Sequence, residues 1–100
     1  MNYKPFYSDY VRHCMRFYAR NTEKPRFNTE VDENNWWACH RAIERYSGRE
    51  KEILLWVYAL HDTIADNVYE VSQEHHIDQN TIWDLLKEFE RIVAKKRGLL

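Results

Sequence analysis

From Val68 to Leu86 the chain reads VYEVSQEHHIDQNTIWDLL, and the offsets of its apolar and small residues fit two helices that cross through a tight turn. Val68, Val71 and the small Ser72 fall on one helical face. His76-Ile77-Asp78 supplies the turn, and Ile82 and Leu85 face back from a second helix. A connection of three or four residues between crossing helices defines a helix-turn-helix. Its second helix stands clear of the domain, with its first turn open to a partner.

The rest of the chain agrees with an all-α fold. Gly and Pro number two each, whereas Trp, Tyr and Phe number four, seven and four. Such a chain favours helices cored by large rings over a fold that needs many special backbone positions. A length of 100 residues fits one domain, which at this size buries about two-thirds of the surface its unfolded chain exposes.

Periodicity predicts five helices. The first covers Pro5 to Arg20, with Tyr7, Tyr10, Val11, Cys14 and Phe17 or Tyr18 as its apolar stripe and Pro5 in its first turn. Asn21 to Asn28 lacks a period, contains Pro25 and reads as a loop. The second helix runs from Thr29 to Tyr46, with Trp36, Cys39, Ile43 and Tyr46 on one face and Asp32 and Glu33 in the favourable first turn. Ser47 and Glu50 form a capping box that starts the third, whose inward face is read as Ile53, Leu54, Val57, Leu60 and Ile64, leaving Trp56 and Tyr58 to pack on neighbours or lie half exposed. The fourth covers Asp66 to His75. The fifth is long, running from the N-cap Asp78 to Arg97 before Gly98, with Ile82, Leu85, Phe89 and Ile92 inward. Residues 1–46 thus form an N-terminal helical hairpin and 47–100 carry the helix-turn-helix, within one compact domain.

Glu70-Val71-Ser72, Ile77 and Thr81-Ile82 together resemble the helix-turn-helix of sigma factor region four and of the small phage and mobile-element transcription regulators built on it. The likeness extends upstream to Ser47–Leu54 and downstream to Ala94–Leu99, about half the chain. Three positions depart from the pattern: Ser72 stands for the commoner Ala, His75 for Leu and His76 for Gly. His is among the few non-Gly residues enriched at positive φ, so His76 suits a left-handed turn. The resemblance implies a DNA-binding regulator whose fifth helix reads a site in double-stranded DNA. Residues 1–46 then serve as a homodimer surface or a contact for RNA polymerase.

On that reading Gln79, Asn80, Trp83, Asp84 and Lys87 point outward from the fifth helix. Gln and Asn each carry a donor and an acceptor on one amide, the arrangement that pairs bidentately with adenine in the major groove, and they sit in the first turn. The ordinary alternative for both is a solvated side chain. Trp83, one turn further on, either touches a thymine methyl or packs against a preceding helix or a partner subunit, and packing is favoured. Lys87 and Arg91 are candidates for backbone phosphates. Lys95, Lys96 and Arg97 either join them or complement the helix dipole.

Charge argues the other way. The formal net charge is −1, with +2 over residues 1–50 and −3 over 51–100. A DNA-binding domain usually carries a basic surface, because phosphate neutralisation supplies most non-specific affinity. An all-helical interaction module, with the helix-turn-helix as scaffold and Trp36, Trp37, Trp56 and Trp83 as its aromatic surface, is the competing reading.

Other chemistry has little support. Cys14 and Cys39 belong to no CxxC pair and are expected as reduced, buried thiols. His13-Cys14 and Cys39-His40 cannot each aim both members at one ion, because adjacent helical residues point about 100° apart, so no metal and no cofactor are expected. No spacing suggests paired carboxylates for acid–base work and no Gly-rich loop suggests a phosphate cradle, so no enzyme is expected. The stretch MNYKPFYSDYVRHCMRF carries charges throughout, and no apolar run approaches membrane length; the expectation is a soluble cytoplasmic protein without a signal peptide.

Overall fold

The computed structural model describes residues 4–23 and 25–100. It is all-helical: α1 (Ser8–Arg20), α2 (Glu30–Ile43), α3 (Gly48–Ala59), α4 (Ile64–His75) and α5 (Gln79–Lys96), with no strand among the described residues. Residues 1–3, which begin the charged N-terminal stretch, and Lys24 of the loop lie outside the described residues.

Local chemistry sets most of the helix starts. Thr29 accepts a hydrogen bond from the Asp32 amide at 3.1 Å, Thr63 from Asp66 at 3.2 Å, and Asp78 from Asn80 at 2.7 Å. Ser47 and Glu50 close the expected capping box, each side chain accepting from the other's amide. Because Thr63 caps α4, Ile64 opens that helix instead of completing the α3 stripe, and α4 starts two residues before Asp66. α1 begins at Ser8, not Pro5, since the Ser8 amide bonds the Pro5 carbonyl at 3.1 Å and makes a turn first. α2 ends at Ile43. Tyr46, outside the helix, packs edge-on against Phe89 at 5.9 Å.

One core joins all five helices. Val11, Cys14, Met15 and Tyr18 come from α1; Trp36, Cys39 and Ile43 from α2; Ile53, Leu54 and Val57 from α3; and Val68 and Val71 from α4. α5 packs against each of the other four, and its buried seam is Ile82, Leu86, Phe89, Val93 and Ala94. That corrects the expected stripe, because Leu85 and Ile92 are only half-buried. A helix surrounded on several sides needs a seam broader than one stripe, and here the seam is centred a residue further along.

The aromatic side chains divide. Of the two read as packed on neighbours or half exposed, Tyr58 is fully buried among these residues, whereas Trp56 remains 39% exposed. Tyr10, expected in the α1 stripe, is exposed at the rim, where its hydroxyl meets Asn35 of α2.

Candidate nucleic-acid interface

α4, the turn and α5 form the expected unit. The backbone at His76 is left-handed, with φ 53° and ψ 48°. Its amide and that of Ile77 both donate to the Ser72 carbonyl, which closes the end of α4 in the manner of a Schellman turn. Ser72 is buried, and its hydroxyl donates to the Tyr69 carbonyl at 2.6 Å, so the small residue leaves room for α5 to cross. His75, beside the turn, has a half-buried ring that stands edge-on to Trp56 at 5.1 Å, and its buried Nε2 has no partner among the described residues. Arg49, at the start of α3, donates to the His75 carbonyl at 3.2 Å and ties the turn to the third helix.

α5 leaves this turn with Gln79, Asn80 and Lys87 exposed, as read from the sequence, and Arg91 is exposed as well. Trp83 differs from them. It is half-buried and packed on the core, with the Arg12 guanidinium over its ring at 5.9 Å from the centroid. The side chain is thus held by α1, the packing role favoured for it, and it forms a wall beside the exposed residues.

That wall belongs to a groove of about 580 Å³ between the N-terminal segment and the outward flank of α5, lined by Lys4, Ser8, Arg12, Asn80, Trp83 and Lys87 among others. At its floor lies Glu90, a buried carboxylate that sequence reasoning missed. It accepts from the Tyr58 hydroxyl at 2.6 Å and from Arg12 Nε at 3.0 Å, so α1, α3 and α5 meet at one carboxylate. Burial, followed by the nearby Glu90 charge, raises the Tyr58 hydroxyl well above its usual value of 10.0 and keeps it a donor. A signal for Glu90 exists in the sequence. It lies four residues after Leu86 and three before Val93, in the middle of an apolar seam, where a carboxylate requires a buried partner.

The basic residues at the end of α5 separate in role. Lys95 and Lys96 are exposed, but Arg97 is half-buried and donates through Nε to Asn35 Oδ1 at 2.6 Å. Arg97 therefore ties α5 to α2. Acidic side chains lie close by as well: Asp84 and Glu88 share the exposed flank of α5, and Asp66, Glu70 and Glu74 line the outward face of α4.

Cys14 and Cys39 are both buried and unbonded, and burial pushes the Cys14 thiol up from 9.0 to about 11. Among the described residues no group of three or more His, Cys, Asp or Glu side chains is arranged to hold a metal ion. No helix of the described residues is long and apolar enough to cross a membrane. No family model matches the chain, and neither does any curated protein or solved structure.

Proposed function

We propose that this chain is a sequence-specific regulator of transcription that binds double-stranded DNA through α5 and acts in the cytoplasm without catalysis. One observation carries the reading: directly after the left-handed turn at His76, the first turn of α5 presents the exposed amides of Gln79 and Asn80. Amide side chains at the start of the second helix of a helix-turn-helix are suited to base edges. Lys87 and Arg91, exposed on the following turns, are suited to flanking phosphates. The likeness of residues 70–82 to sigma factor region four, as in phage and mobile-element regulators, supports the same assignment. α1 and α2 remain for a second copy of the chain or for RNA polymerase.

The acidic outward face of α4 favours a second reading, an interaction module for another protein, because Asp66, Glu70 and Glu74 repel phosphates. Substitution separates the two. Replacing Gln79 and Asn80 with Ala narrows the gap between cognate and random duplex by about 1–3 kcal/mol for each bidentate pair removed. Replacing Lys87 and Arg91 with Ala instead weakens binding to every duplex and lowers the salt slope by about one unit per phosphate engaged. Four substitutions without effect on DNA binding would leave the interaction module as the account of this fold.

A further inference from the structure

Arg12, Arg16 and Arg20 recur every four residues and form one stripe along α1. Arg12 is neutralised by Glu90. The other two have no such partner, for among the described residues neither guanidinium lies within ion-pair distance of a carboxylate. Both grip the short connection between α3 and α4. Arg16 Nη2 donates to the Asp62 carbonyl at 3.1 Å, while Arg20 donates to the Ala59 and Leu60 carbonyls at 3.3 and 3.4 Å. Arg20 Nη2 also lies 3.1 Å from His61 Nδ1. A guanidinium is only a donor, so Nδ1 accepts and the neutral ring carries its proton on Nε2.

The bland explanation is that the arginines cap the end of α3, and it falls short on two counts. Arg20 does cap the Ala59 carbonyl, but Leu60 and Asp62 already have a donor from inside the fold, because buried Asn67 Nδ2 reaches their carbonyls at 3.3 and 3.2 Å. The negative end of a helix dipole amounts to roughly half a charge and the Asp62 carboxylate adds one, against two full positive charges, so the site keeps a positive excess of about half a unit. Two guanidiniums without a carboxylate partner, held at the end of α3 and on the four-residue connection that follows it with the His61 ring beside Arg20, leave donors suited to an anion.

We infer that Arg16, Arg20 and His61 form an oxyanion site, and that its occupant is a backbone phosphate of the duplex whose bases face α5. The inference rests on the DNA-binding reading and extends it. Arg12 connects the two regions, since the same stripe touches Trp83 on α5 and continues to Arg16 and Arg20 about 6 and about 12 Å further along α1. Phosphate rows flank a major groove about 12 Å wide, so a strand beside α5 comes within reach of this stripe. The site also supplies positive charge that the outward face of α4 lacks.

The test is a salt titration of duplex binding for wild type, for R16Q/R20Q and for R16K/R20K, with melting temperatures measured in parallel in inorganic phosphate and in chloride at equal ionic strength. The expected result is a salt slope lower by about one unit in the Gln pair and retained in the Lys pair, because the substitution removes a charge that neutralises a phosphate. Phosphate should raise the melting temperature of the wild type but not of the Gln pair. An unchanged slope in the Gln pair, with wild type still selecting its site through Gln79 and Asn80, overturns this inference and leaves the DNA-binding reading standing. Phosphate stabilisation without any change in duplex binding gives the site to a different anion and overturns it too. Wild type that binds no duplex overturns both.

Discussion

Tyr58 donates its hydroxyl to Glu90 at 2.6 Å inside the core, and with Arg12 it holds a carboxylate that apolar surroundings would otherwise expel. Replacing Tyr58 with Phe keeps the ring and removes one of the two donors. The expected cost is about 1–3 kcal/mol, the range for leaving a buried polar group one partner short. Urea unfolding measures it, and a loss well under about 0.5 kcal/mol would mean that the Arg12 bond alone satisfies Glu90.

Stability should fall on the alkaline side. Burial raises the Cys14 thiol from 9.0 to about 11 and the Tyr18 hydroxyl from 10.0 to about 12, and it lifts the Tyr58 hydroxyl well above 10.0. A group whose folded value is raised holds its proton more tightly in the native state, so its contribution is complete below the unfolded value. It is lost as pH climbs through the window between the two. These groups therefore leave stability flat from neutrality to about pH 9 and lower it progressively from there to about pH 12. Urea midpoints across that range test the sign, and a stability that rises above pH 9 contradicts the burial of these side chains.

His76 holds a left-handed backbone with no side-chain hydrogen bond among the described residues. Replacement by Gly relieves the steric cost of that conformation while loosening the unfolded chain. Thermal melts should show no change or a gain of up to about 1 kcal/mol, and replacement by Val should be clearly destabilising.

Arg97 offers a contrast with its neighbours. Its bond to buried Asn35 predicts that Arg97→Ala costs about 1–2 kcal/mol of stability, whereas Lys95→Ala and Lys96→Ala, at exposed positions, stay within about 0.5 kcal/mol. Equal effects from all three substitutions would mean that Arg97 is a surface charge like the others.

Features governed by neighbours in the chain were legible in the sequence. The capping box at Ser47 and Glu50, the N-cap at Asp78 and the left-handed turn at His76 each depend on residues a few positions apart, and each is present as read. What escaped depends on distant partners. Glu90 is buried because Arg12, 78 positions away, and Tyr58, 32 positions away, come to it, and pattern reading sends a lone Glu to the surface. The same long-range packing buried Tyr58 and moved the α5 seam from Leu85 and Ile92 to Leu86 and Val93. Of the candidate site, the outward placement of Gln79, Asn80 and Lys87 on α5 was readable from periodicity. The α1 wall over Trp83 and the grip of Arg16 and Arg20 on the α3–α4 connection were not.

The central claim is that α5 reads DNA sequence, and selection of duplexes from a random pool by the wild-type protein tests it most directly. The account predicts an enriched short motif, bound at least about a thousandfold more tightly than random duplex of the same length at physiological salt. A pool that emerges without an enriched motif, with affinity indistinguishable from random duplex at every salt concentration, would contradict it.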